Sequence, residues 1–132
     1  MRILALDYGA ARTGVAVSDA TGTIAIPLEV VAQAATPDGL GRIRELVEGQ
    51  EAERVVVGMP LTLRGERGEQ ARLTEDFVRD LRALLDVPVE VYDERFTTAL
   101  AGRDTSGGAA EDARAAAHLL ESYLAWASTS RR

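Results

Sequence analysis

The 132-residue chain contains no cysteine, which excludes disulfide frameworks, thiolate metal centres and cysteine nucleophiles. It has one histidine, His118, so any metal would be held by oxygen donors or by that single imidazole. Lysine is missing too. All 15 basic residues are arginine, a set suited to bidentate phosphate contacts and equally the mark of a compositional bias toward arginine codons. No apolar run approaches the ~18 residues of a membrane-spanning helix, and the N-terminus lacks the ordered regions of a signal peptide. A cytoplasmic protein with no membrane partner is the expectation. A basic surplus is also absent. The net charge of −6 weighs against the broad positive footprint usual in nucleic-acid binders.

What remains is ordinary globular composition, 46% hydrophobic and 27% charged, in a length that suits one compact domain over residues 1–132. Ile3 to Leu6 form a short apolar run ending at Asp7, and Gly14 to Ser18 form a second, with a Gly-containing turn at 8–12 between them that suits a hairpin. A third extended stretch, Thr23 to Val31, tolerates Pro27 best at a sheet edge. Pro37 and Asp38 open a helix to about Glu48, with Leu40, Ile43, Leu46 and Val47 at helical spacing.

Arg54 to Gly58 reads as a buried strand, because Val55-Val56-Val57 is a continuous β-branched run. The stripe Thr74, Phe77, Val78, Leu81, Leu84 and Leu85 predicts a long helix from about Gly68 to Asp86. Val87 to Tyr92 is a fifth strand, and Ala109 to Ala127 a final alanine-rich helix after the breaker at 105–108. The order β-β-β-α-β-α-β-α predicts an α/β fold, a mixed five-stranded sheet with helices on both faces.

Three acids stand out by position. Asp7 ends a strand that reads as central and buried, where a carboxylate needs a metal or hydrogen bonds to compensate it; hydrogen bonds from the following turn are the plainer alternative. Glu94 follows the last strand at its carboxyl end, where open α/β sheets place their sites. Asp93 alternates to the opposite face, so only one of the pair would enter such a site. An exposed acidic turn with Arg95 is the alternative for Glu94.

Asp112 is the least expected acid, because it heads the stripe Ala116, Leu119, Leu120, Tyr123 and Ala127 that faces the sheet. A first-turn acid facing the helix dipole is its ordinary role, but Glu111 could fill that from the solvent side. Carboxylates from distant segments, without thiols, match the ligand chemistry of Mg²⁺ or Mn²⁺. Two such ions about 4 Å apart serve phosphodiester hydrolysis. His118 reads as an ordinary exposed histidine. The glycine-rich segment 58–68 leads into a helix start and carries Arg64 and Arg67, a conceivable phosphate contact, although Glu66 and Glu69 dilute its charge.

Four ordered motifs resemble the YqgF/RuvX family of Holliday junction resolvases and pre-16S rRNA nucleases. They are Leu4-Ala5-Leu6-Asp7-Tyr8-Gly9 through Arg12-Thr13-Gly14-Val15-Ala16-Val17-Ser18-Asp19; Val57-Gly58-Met59-Pro60-Leu61 with Gly65, Gly68, Gln70 and Ala71; Asp93-Glu94-Arg95-Phe96-Thr97-Thr98; and Asp112 with Ala115-Ala116. The resemblance covers nearly the whole chain. It implies an RNase H-like fold, Mg²⁺ or Mn²⁺ held by Asp7, Glu94 and Asp112 as catalytic acids, and a substrate that is branched DNA or pre-rRNA. We expect Arg12, Arg64, Arg67 and Arg95 to contact phosphates. A homodimer would suit symmetric cutting of a four-way junction.

The chain departs from the family pattern at Thr62, Arg64 and Ala113, the last replacing a frequent serine and removing a hydroxyl beside the final acid. Two rival readings remain. One is a nucleic-acid-binding ribosome-assembly factor without turnover. The other is an actin-like nucleotide-binding protein, for which one lobe of this length is too small.

Overall fold

Alternation along the first apolar runs puts side chains on both faces of a sheet, so each face needs its own cover. The computed structural model, which describes residues 1–60, 68–93 and 109–130, meets that need with helices on both sides. β1 (Ile3–Asp7), β2 (Arg12–Ser18) and β3 (Ala25–Ala32) form an antiparallel meander. α1 (Pro37–Gly49) leads to β4 (Arg54–Met59), α2 (Glu69–Leu84) to β5 (Val89–Asp93), and α3 (Ala109–Ser130) follows. The strand order is β3-β2-β1-β4-β5, with β4 parallel to both β1 and β5. The predicted mixed sheet is therefore present, with β1 at its centre and the proline-bearing β3 at an edge, where a proline is tolerated best.

The two faces are packed differently. Leu4, Leu6, Val15, Val55 and Val57 meet Ile43, Phe77 and Leu81 of α1 and α2. Ile3, Ala5, Ala16 and Val56 meet Ala116, Leu119, Leu120 and Tyr123 of α3. The small residues Ala5 and Ala16 let α3 lie close to the sheet. Its far end is tied by a polar cluster: Arg54 donates to the Tyr123 hydroxyl (3.0 Å), which donates to Glu90 (3.0 Å), and Arg54 pairs with Glu90 at 3.0 Å. Burial raises the Tyr123 pKa, consistent with a hydroxyl that stays protonated and bridges the two charged groups. No helix among the described residues is long and apolar enough to cross a membrane.

Boundaries shift where local hydrogen bonding overrides pattern. β5 begins at Val89 rather than Val87, because Pro88 has no N–H to give and instead accepts from the Val55 N–H at 2.9 Å. α2 stops at Leu84, with Leu85 already extended, short of the expected Asp86. β3 begins at Ala25 rather than Thr23, because the Asp19 carboxylate claims the preceding residues. It accepts from the Thr23 and Ile24 N–H groups at 2.8 and 2.9 Å and from the Thr21 hydroxyl at 2.5 Å.

Those bonds, led by that from Ile24, hold the Asp19 pKa well below the usual carboxylate range. A depressed folded pKa contributes stability above the unfolded value, about 4, that is lost as pH falls through the folded one. Asp19→Asn keeps the two backbone bonds to the side-chain oxygen. Without the charge it forfeits that contribution, so its urea midpoint should lie below the parent's at pH 7 and fall less steeply below about pH 4, where the two converge. An equally steep fall would assign the acid sensitivity to other carboxylates.

Candidate active site

β1 delivers Asp7 to the carboxyl end of the sheet's central strand. Asp7 shares strand parity with Ile3 and Ala5, which pack under α3, so its side chain lies on the α3 face. The residue is 6% exposed, a degree of burial that a carboxylate tolerates only with compensating partners. On the opposite face the next residue, Tyr8, stacks on Phe77 of α2, with centroids 4.4 Å apart and planes 21° from parallel. Burial, then the charge of Asp76, raises the Tyr8 pKa. This stack anchors the chain immediately after Asp7. Sequence reasoning missed it, although an aromatic directly after the strand-terminal acid was a usable signal.

Gly14 of β2 is the direct cross-strand partner of Asp7, so a Cβ at Gly14 would share the face of the Asp7 side chain. That Cβ would stand 1.9 Å from the Asp112 carbonyl oxygen and 2.5 Å from its carbon. The first turn of α3 therefore rests on the backbone of this rung, at the point where Asp7 projects. One glycine thus leaves room for the helix backbone that carries Asp112 to lie on the rung of Asp7. The stripe below Asp112 is also as expected, with Ala116, Leu119, Leu120 and Tyr123 buried.

Asp112 is 18% exposed at its side chain and meets Arg12 of β2, with Oδ2 3.1 Å from Nε. That Oδ2 is buried and accepts no hydrogen bond among the described residues, so the contact with Arg12 is Coulombic and poorly directed. A buried carboxylate oxygen that accepts no hydrogen bond among the described residues, on a helix turn seated over the rung of a buried aspartate, suits a hard divalent cation. The donor chemistry agrees, since no thiol is available and His118 lies exposed, 4.0 Å from Glu121. Among the described residues no three acidic or imidazole side chains gather. Glu94, read as the third acid, lies outside the described residues, as do Arg64, Arg67 and Arg95. Asp93 ends β5 opposite Met59 of β4, with the parity of Val89 and so away from the α3 face.

A family model described as RuvX, Holliday junction resolvase, matches residues 1–126. The chain belongs to the RuvX family. A relative in Chloroflexus aurantiacus, named as a candidate pre-16S rRNA nuclease, is 46% identical over 99 residues, covering 75% of this chain and 65% of the relative. One in Roseiflexus with the same name is 43% identical over 102 residues, covering 77% and 72%. The chain thus spans about two thirds of the length of these RuvX relatives.

Among solved structures, Thermus thermophilus RuvC in complex with a Holliday junction substrate superposes with a TM-score of 0.59. The identity is 20%, over 98% of this chain and 96% of that one. A second Thermus thermophilus RuvC structure gives 0.55 at 18% identity, over 96% and 97%. The RNase H-like architecture implied by the motifs is therefore the fold of this RuvX chain.

Proposed function

We propose that the protein is a metal-dependent nuclease that hydrolyses phosphodiester bonds in structured nucleic acid. One observation carries the reading: the buried Asp7 carboxylate lies on the same rung as Gly14, against which the first turn of α3 and Asp112 are seated. Asp7 and Asp112 would hold Mg²⁺ or Mn²⁺, with Glu94, which directly follows the last residue of β5, as the third ligand. Bound there, the cation would supply an activated water and neutralise charge on the leaving oxygen. The chain's own residues fix where that happens. Asp7 is held by a strand at the centre of the sheet and Asp112 by a helix seated on it, which favours a rigid site.

The substrate reading follows the family. RuvX is described as a Holliday junction resolvase and the relatives are named as candidate pre-16S rRNA nucleases, so branched DNA and pre-rRNA are the two substrates proposed. With a net charge of −6, phosphate contacts would be local, through Arg12, Arg64, Arg67 and Arg95, rather than spread over the surface. Action in the cytoplasm, and a homodimer when a four-way junction is cut on two strands, complete the reading.

The test is cleavage of matched labelled substrates, namely a four-way DNA junction, linear DNA and a structured RNA spanning the 16S 5′ end, with Mg²⁺, Mn²⁺ or chelator. Cleavage that needs the metal establishes the nuclease, and the preferred substrate chooses between the two. Binding without cleavage under every condition would instead favour a ribosome-assembly factor without turnover.

A further inference from the structure

We infer that Tyr8 is a positioning residue of the site, whose ring, stacked on Phe77 on the opposite face of the sheet, fixes the direction in which the Asp7 carboxylate leaves the strand. The inference rests on the nuclease reading and adds to it a residue that acts only through the backbone.

The direction of a Cα–Cβ bond follows from where the residue's own N and carbonyl carbon are held. For Asp7 the two are held by different means. β1 pairs with β4 from Ile3 to Leu6 and with β2 from Leu4 to Asp7, so Asp7 stands on the last rung of the strand and its N side is fixed by the ladder. Its carbonyl side leads out of the sheet. There the next residue, Tyr8, packs against the core beneath α1 and α2, and its ring lies on Phe77 with centroids 4.4 Å apart and planes 21° from parallel. Phe77 is itself 1% exposed. A ring seated on a fully buried neighbour cannot shift without opening the core.

The other restraints on this turn are weaker or more distant. Thr13 is fully buried, and its hydroxyl accepts from the Gly9 N–H and donates to the Gly9 carbonyl, each at 3.4 Å, longer than the usual range of about 2.7–3.2 Å. The Ala11 carbonyl accepts from the Gln33 N–H at 3.0 Å, which ties the far end of the turn. The firm hold nearest Asp7 is therefore the ring. A metal ligand keeps its geometry only where the groups behind it are locked by packing, and Tyr8 supplies that lock from across the sheet.

A ring that merely fills the core makes a different prediction. Its loss would lower stability and leave each folded molecule with an unchanged site. The experiment compares the parent with Tyr8→Leu, Tyr8→Phe, Phe77→Leu and Ile43→Val, the last removing a methylene from the same core beneath α1. Urea unfolding in chelator gives the folded fraction of each. Mn²⁺ binding to the full chain without nucleic acid is then measured by calorimetry, and kcat and KM at saturating Mn²⁺ on whichever of the four-way DNA junction and the structured RNA the parent cleaves.

Per folded molecule, Tyr8→Leu should bind Mn²⁺ about threefold more weakly and lose about tenfold in kcat with KM unchanged, factors within what one aromatic pair supplies. Phe77→Leu, which loosens the same stack from the side of α2, should move both quantities in the same direction. Tyr8→Phe keeps the ring and should stay within about twofold of the parent in both, and Ile43→Val should lose stability alone. Mn²⁺ affinity and kcat as high in Tyr8→Leu and Phe77→Leu as in Ile43→Val, in a parent that binds the ion and cleaves, overturn the positioning role and leave the nuclease reading standing. A loss in Tyr8→Phe as large as in Tyr8→Leu also overturns it, because the hydroxyl and not the stack would then be responsible. No Mn²⁺ binding and no cleavage by the parent overturn the nuclease reading, and the positioning role with it.

Discussion

Gly14→Ala is expected to abolish cleavage while leaving a folded, weakened protein. The added methyl would meet the Asp112 carbonyl at 1.9 Å, and that neighbour is helix backbone rather than the tip of a flexible side chain. The first turn of α3 must lift off the Asp7 rung. Overpacking of this kind destabilises by about 1–3 kcal/mol, and a shift of about 1 Å at a reacting centre can reduce turnover by about 100-fold. We expect at least that loss, with Mn²⁺ affinity falling in parallel.

Gly39→Ala, in the first turn of α1, is the control, because its Cβ would meet the Gln33 carbonyl at 2.3 Å and Ala34 in the turn before the helix, a segment that contributes no residue to the site. It should lower the urea midpoint comparably and leave cleavage per folded molecule near the parent level. Equal loss of cleavage in both variants would mean that general destabilisation, not the seating of α3, was measured. Full activity in Gly14→Ala would separate the glycine from the site altogether.

Gly14 also shows where sequence reasoning stops. The apolar run into Asp7, the β-branched run of β4 and the stripe beneath Asp112 are periodic signals, and periodicity survives without knowledge of neighbours. From them the sheet, its central and edge strands, and the inward position of Asp112 were all legible. Pro27 placed β3 at an edge through its missing donor alone. The contact between Gly14 and Asp112 spans almost a hundred positions and depends on how closely a helix approaches a strand, which no local pattern encodes.

The Tyr8–Phe77 stack and the Arg12–Asp112 pair were illegible for the same reason. Arg12 reads as a generic phosphate-binding arginine until β2 parity puts it against the acid. The start of β3 was misjudged on a different ground: Thr23 and Ile24 have strand-forming side chains, but their N–H groups are already satisfied by Asp19, and side-chain capping outcompetes the ladder. Net charge misleads in its own way. A total of −6 describes the whole surface, whereas a phosphate responds to the charges nearest to it.

Asp7→Asn should have the largest effect on chemistry and among the smallest on stability. Asparagine preserves the shape and one acceptor oxygen but removes the charge that a divalent ion needs, and loss of a metal ligand of this kind removes several kcal/mol of transition-state stabilisation. Cleavage should fall by about 10³-fold or more. Stability should stay within about 1 kcal/mol of the parent, because removing a buried negative charge offsets the hydrogen bonding it forfeits.

Asp112→Asn should be equally inactive yet less stable than Asp7→Asn, since it also breaks the pair with Arg12. Thermal unfolding with and without Mn²⁺ separates these effects. An ion that binds only the folded state raises the parent's midpoint with concentration, and in Asp7→Asn that rise should vanish. Near-parent cleavage by Asp7→Asn would remove Asp7 from the chemistry. A variant that fails to fold even in chelator would show that the buried carboxylate is structural, held by its neighbours rather than awaiting a metal.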